Sequence, residues 1–212
     1  MIRSKLLSKL EYIEHGFSTR RGGVSKGVFE SLNLSYGRGD DPEAVRRNFE
    51  LAGEMIGVIS EDMVHTQQTH TTNVVRVDGS FKGNGITLPN RFKDVDGLVT
   101  DVPGLCLVTR HADCVPLYFV DTANKAIGLS HSGWKGTVHG MARVTLDAMR
   151  DAFGTKPEDV YAGIVYNLLL DFGFVFTVDF VVFGIPITSL LFTVIPLLFF
   201  ILAFSLMLRR LL

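Results

Sequence analysis

Cysteine is scarce in this 212-residue chain: only Cys106 and Cys114 occur. That excludes a disulfide-stapled scaffold and points to free thiols in a reducing compartment. Histidine is also sparse, with six residues and no His-x-His pair, which argues against a multicopper centre. Neither sign of charge dominates, since 21 Lys/Arg against 22 Asp/Glu leave a net charge of −1. The basic doublets Arg20-Arg21, Arg46-Arg47 and Arg209-Arg210 are too scattered for a phosphate-tracking stripe, so no nucleic-acid partner is expected. The opening "MIRSKLLSKLEYIEHGF" has no apolar run of signal-peptide length, and the body is expected to be cytoplasmic. There are no internal repeats or heptads.

What is present falls into two parts, expected as a domain over 1–163 and an apolar tail over 164–212. The tail has no His, Cys, Lys or Glu, and Phe180 to Leu208 carries no charge at all. A membrane-spanning helix needs roughly 20 apolar residues. Asp171 and Asp179 would be costly in lipid, so a candidate transmembrane segment is confined to about 185–208. The alternative is an aberrant, non-functional end that leaves an inactive, membrane-associating fragment.

In the first part, "DDPEAVRRNFELAGEMIG" predicts a helix with Asp41 as N-cap, Pro42 in the first turn, and Val45, Phe49, Ala52 and Ile56 on one face before Gly57. "MVHTQQTHTTNVVRVD" predicts two short strands around a polar turn. Residues 79–93, rich in glycine and polar groups, predict a mobile loop or lid. "DGLVT", "LCLVT", "VPLYFV" and "AIGLSH" predict buried strands. From Lys135 to Phe153 a helix is expected, with Val138, Met141, Ala142, Thr145, Met149 and Ala152 in one stripe and Gly154 and Pro157 closing it. The fold class is α/β, a mixed-sheet sandwich with flanking helices whose strand ends carry the polar residues.

Three of those strand ends hold metal-ligand side chains. His70 follows the strand that begins at Met63, Cys114 precedes "VPLYFV", and His131 ends "AIGLSH". Zinc accepts such mixed N/S sets, and three protein ligands leave a fourth position for water or substrate. Against this, a cysteine before an apolar strand is commonly a small buried hydrophobe, and the spacings match no compact finger. His111-x-x-Cys114 is a competing local pair, and His65 and His139 are further candidates. "HGFSTRRGGVSKGVFESLNL" sets Arg20 and Arg21 before two glycines whose amides can approach an anion, or is simply a glycine turn with two solvated arginines. Asn33 can orient a heterocycle or cap a turn.

Taken in order, "HGFSTRRGGVS", "SLNL", "GDDPEAVRRN", "QQTH", "DGLVT", "HADCVPLYF" and "SHSGWKGTVHG" resemble the laccase-domain "polyphenol oxidase" family, also described as zinc-dependent purine nucleoside phosphorylases. The resemblance covers about residues 13–162 and leaves out the family's usual C-terminal part. It implies a zinc site on His70, Cys114 and His131, which would serve as both metal and catalytic residues. It also implies phosphorolysis of adenosine, inosine and S-methyl-5′-thioadenosine, with adenosine deamination as a side activity. Phosphate would then sit against Arg20, with Arg21 or Lys135 assisting, while Asn33 orients the nucleoside. A copper-dependent, laccase-like oxidase is the alternative reading of the same ligand set.

Overall fold

The computed structural model describes residues 1–169 and 174–181. The candidate span at 185–208 lies outside them; among the described residues, no helix is long and apolar enough to cross a membrane.

Helix α1 (Pro42–Glu54) starts where the sequence says it should. The Asp41 carboxylate accepts from the Glu43 amide, and Pro42 occupies the first turn, where no amide is needed. Val45 and Phe49 are buried on its inner face. The four apolar runs become strands: β3 (Gly97–Thr100), β4 (Cys106–Val108), β5 (Val115–Asp121) and β6 (Ala126–Ser132). The two short strands before them, β1 (Met63–His65) and β2 (Val74–Arg76), belong to different sheets. Strands β1 and β4 form a small parallel sheet. The large sheet has the order β2-β3-β6-β5-β7-β8, with β7 (Val160–Leu169) and β8 (Phe174–Val181) at its far edge. Only β2 and β3 run parallel there; the other neighbours are antiparallel. Strand β7 begins in the body and runs through the expected boundary at residue 163.

Alternating side chains explain the layering. Val64 and Leu107 of the small sheet meet Leu98 and Leu129 of the large one. Met63 and Cys106 turn the other way, toward Val45 and Phe49 of α1. On the opposite face of the large sheet, Val99 and Phe119 pack with Met141 and Met149. The result is a sandwich of two sheets with a helix on each outer side.

Two expectations need correction. The helix expected from Lys135 to Phe153 is two helices, α2 (Trp134–Val138) and α3 (Met141–Phe153). Gly140 between them has φ +75°, a left-handed turn that breaks the helical ladder and leaves Val138 68% exposed, off the buried stripe. Nor are residues 79–93 a free lid. The Gly83 amide donates to the Met63 carbonyl, and the backbones of His65 and Asn84 pair. The Asn84 side chain donates to His65 O, and Ile86 is buried against α1 and β1. The loop thereby covers the exposed edge of β1, a position that an unpaired strand edge favours filling.

Asn48, fully buried on α1, ties down the segment carrying Arg20 and Asn33. Its Nδ2 donates to Ser25 Oγ and to the carbonyls of Ser31 and Asn33, and its Oδ1 accepts from the Val24 amide. Removing it leaves several buried polar groups unpaired. Asn48→Ala is expected to lose about 3 kcal/mol of stability, on the scale of one or two unsatisfied buried groups. Differential scanning calorimetry would then show a Tm lower by roughly 6–12 °C.

Candidate metal centre

Strand register builds the site. Strands β5 and β6 pair with Val115 opposite Ser132 and Pro116 opposite His131, so Cys114, one residue before β5, lies beside Gly133. Strands β3 and β6 pair with Gly97 opposite Ser130, which sets Asp96 beside His131, and the His131 amide donates to Asp96 O at 2.7 Å. His70 comes from the loop after β1.

His70, Cys114 and His131 meet there, their ligand atoms all within 4.8 Å of one another. Cys114 Sγ lies 3.7 Å from His70 Nε2, and the two imidazole rings cross at 77° with centroids 5.0 Å apart. No other group of three such side chains forms among the described residues. Gly133 makes the room: a Cβ there would meet His70 Cδ2 at 2.7 Å and Cys114 Sγ at 3.1 Å. The set is a soft sulfur with two nitrogens, exposed at His70 and buried at His131. It fits a transition-metal ion with one side open.

Asp96 organises these ligands and was not foreseen from sequence. It is fully buried, and its Oδ1 bonds His131 Nδ1 at 2.7 Å, which leaves Nε2 as the free nitrogen of that ring. The same carboxylate accepts from the amides of Thr69, His70 and Thr71 and from Thr71 Oγ1. These bonds hold His70 at φ +65°, a conformation that non-glycine residues seldom adopt. Burial alone would raise the Asp96 pKa; the bond to His131 and those from Thr71 and Thr69 win, and hold it down at about 2. The only sequence signal was an acid opening the apolar run "DGLVT". Carboxylates bonded to a ligand histidine fix its tautomer and raise its basicity. Asp96→Asn is expected to weaken metal binding about 10–100-fold, measured by competition with a chromogenic chelator.

The competing candidates separate clearly. His111 stands beside the cluster, its ring centroid 5.2 Å from that of His131, but both nitrogens are engaged, Nδ1 with Cys114 O and Nε2 with Thr109 Oγ1. His65 is buried under the Asn84 loop, outside the cluster, and His139 is exposed at the end of α2. A cleft of about 2020 Å³ opens over the site. Arg20, Arg21 and Asn33 line its wall together with His70, Cys114 and His131, whereas Lys135 does not line it. Arg20 is partly committed, with Nε and Nη2 donating to Glu30 O. Asn33 is likewise engaged, donating to Asp40 and accepting from the Ser35 amide. Arg110 and Arg38 also line the cleft; neither was singled out from sequence.

Residues 14–165 match the family model described as multi-copper polyphenol oxidoreductase laccase. The chain is 39% identical over 165 residues to a purine nucleoside phosphorylase of Bacteroides thetaiotaomicron, covering 77% of this chain and 61% of that protein. It is 35% identical over 150 residues to the purine nucleoside phosphorylase YlmD of Bacillus subtilis, covering 70% and 54%. Among solved structures, YlmD from Geobacillus stearothermophilus superposes with a TM-score of 0.66 at 36% identity, covering 69% of this chain and 55% of that one. The Bacillus licheniformis protein YfiH gives a TM-score of 0.66 at 34% identity over the same shares. The chain therefore spans little more than half the length of these relatives.

Proposed function

The chain belongs to the multi-copper polyphenol oxidoreductase laccase family, and on that premise we propose that it is a zinc-dependent purine nucleoside phosphorylase. Its substrates are adenosine, inosine and S-methyl-5′-thioadenosine, each converted with phosphate to free base and pentose 1-phosphate. Deamination of adenosine is a side activity. The observation that carries this reading is the convergence of His70, Cys114 and His131 at the head of an arginine-lined cleft. Relatives named purine nucleoside phosphorylase support it.

Zinc on these three ligands would polarise a substrate atom or bound water at its open position. The chain's own residues do the rest. Asp96 keeps His131 in the tautomer that presents Nε2, and His111 holds the Cys114 backbone through its carbonyl. In phosphorolysis a phosphate oxygen forms a bond to the ribose C1′ as the C1′–N9 bond breaks, and the electron pair leaves with the purine, which takes up a proton. Arg20 and Arg21 on the cleft wall supply positive charge for the phosphate, and such preorganised cations are most effective where water is excluded. Asn33 sits on the same wall to orient the nucleoside. Lys135, its ammonium over the Trp134 ring at 5.7 Å, lies outside the cleft lining.

A copper oxidase draws on the same three ligands, but His15, His65 and His139 do not join them, and no second ligand group forms among the described residues. Metal analysis of the purified chain, combined with release of adenine from adenosine with and without phosphate, tests the proposal. Zinc near one equivalent and phosphate-dependent release are expected. Copper with oxygen consumption on phenols would overturn it.

A further inference from the structure

The cleft holds two arginines to which the reading above gives no role, and their surroundings are unusual for cations. The Arg110 backbone is clamped to Gln68 by a reciprocal pair: its amide donates to Gln68 Oε1 at 2.8 Å, and Gln68 Nε2 donates to its carbonyl at 2.7 Å. Gln68 is two residues before His70, and Arg110 adjoins His111, so the Arg110 backbone is anchored to the same two segments that shape the metal site. Arg110 Nη1 donates to Ser35 Oγ at 2.9 Å and to Leu34 O at 3.4 Å, which fixes the plane of the group. Its Nε and Nη2 have no partner among the described residues.

Arg38 lines the same cleft and makes no ion pair or hydrogen bond among the described residues. Asp40, close to it in the chain, is already committed, with Oδ2 accepting from Ser25 Oγ and Asn33 Nδ2 and Oδ1 from the Asp41 amide. Burial first, and the Arg38 charge second, lower the pKa of Arg110, so the two cations feel one another, and neither forms an ion pair with a carboxylate among the described residues. A half-buried, unpaired guanidinium is costly, and a guanidinium fork with unspent donors matches an oxyanion. Arg20 differs, because two of its nitrogens are tied into its own loop.

We propose that Arg38 and Arg110 together form the seat for inorganic phosphate in this cleft. The proposal rests on the phosphorolysis reading and seats its phosphate on this pair, leaving Arg20 and Arg21 as further positive charge on the cleft wall. Arg110 supplies the fixed, oriented donors, and Arg38 closes over the anion from the exposed side.

The test uses the full, metal-loaded chain and inorganic phosphate alone, with binding followed by phosphorus NMR or titration calorimetry. Arg38→Gln removes a side chain with no partner among the described residues and should leave folding intact. It is expected to weaken phosphate binding about tenfold, and Arg110→Gln by about tenfold or more, as loss of charged hydrogen bonds implies. Arg143→Gln, the same charge change on exposed α3, should leave binding unchanged. Metal content should be equal in Arg38→Gln and the unmutated chain. Absence of phosphate binding by the unmutated chain, or unchanged binding in Arg38→Gln, overturns the inference. If phosphate binds through this pair but no nucleoside is cleaved, the seat stands and the phosphorylase reading falls. If nucleosides are cleaved with the same KM for phosphate in both variants, the reading stands and the seat falls.

Discussion

Cys114→Ala is expected to be isolated without stoichiometric metal and without measurable phosphate-dependent nucleoside cleavage. The sulfur is the only soft ligand of the cluster and stands 3.7 Å from His70 Nε2. Its loss leaves two imidazoles, too few for a tight zinc site. The effect should exceed the roughly 10–100-fold cost of losing a supporting residue such as Asp96. Cys106→Ala serves as the control, because Cys106 lies in β4 against the α1 cluster, away from the ligands. In the metal-free protein, burial, then the hydrogen bond and charge of Asp113, push the Cys114 thiol up to about 11. Metal must therefore displace a proton at neutral pH. Apparent affinity should rise about tenfold for each pH unit below that value, and chelator competition between pH 6 and 8 should show it. A Cys114→Ala protein that keeps both metal and activity would place the chemistry elsewhere.

How much of this was legible beforehand depends on whether a feature is local. Helix α1 was, because Asp41, Pro42 and the spacing of Val45 and Phe49 all lie within three turns. The strands β3 to β6 were legible as short apolar runs between turn signals. Cys114 and His131 could be picked out because one precedes and the other closes such a run, whereas His70 lies in the polar loop after β1. What joined them could not, since Asp96 reaches His131 through the β3–β6 register and reaches His70 through a loop after β1. Pairing registers are a property of the assembled sheet. Arg110 escaped for the same reason, since its significance comes from Gln68 and Ser35, both far away in the chain. The break at Gly140 is a local signal that the apolar stripe through Val138 masks, since the left-handed glycine separates α2 from α3.

Acidification should destabilise this domain well before its carboxylates lose their charge, and His65 is the main reason. Burial, with the Arg110 charge as a smaller contribution, pushes its pKa down to about 3. His65 is 3% exposed, and its Nε2 has no partner among the described residues, so nothing compensates a proton taken up in the folded state. In the unfolded chain the same ring titrates near 6.5. Below that value the unfolded state binds a proton that the folded state refuses, so stability is complete above about pH 6.5 and is lost as pH falls toward 3. The slope is about 1.4 kcal/mol per pH unit for one such group. His111, also pushed down to about 3 by burial and then by the His131 charge, adds to it, though less because it is part-exposed. Between pH 6.5 and 4.5 His65 alone should remove about 2–3 kcal/mol, which is a large share of a domain's usual margin. Urea unfolding of the metal-free protein at pH 7.5, 5.5 and 4.5 would measure this. A His65→Gln variant carries no titrating ring and should show a slope flatter by close to one proton, even if it is less stable at neutral pH. An equal slope in that variant would mean that His65 binds its proton in the folded state, and that the pocket between β1 and the Asn84 loop admits the charge.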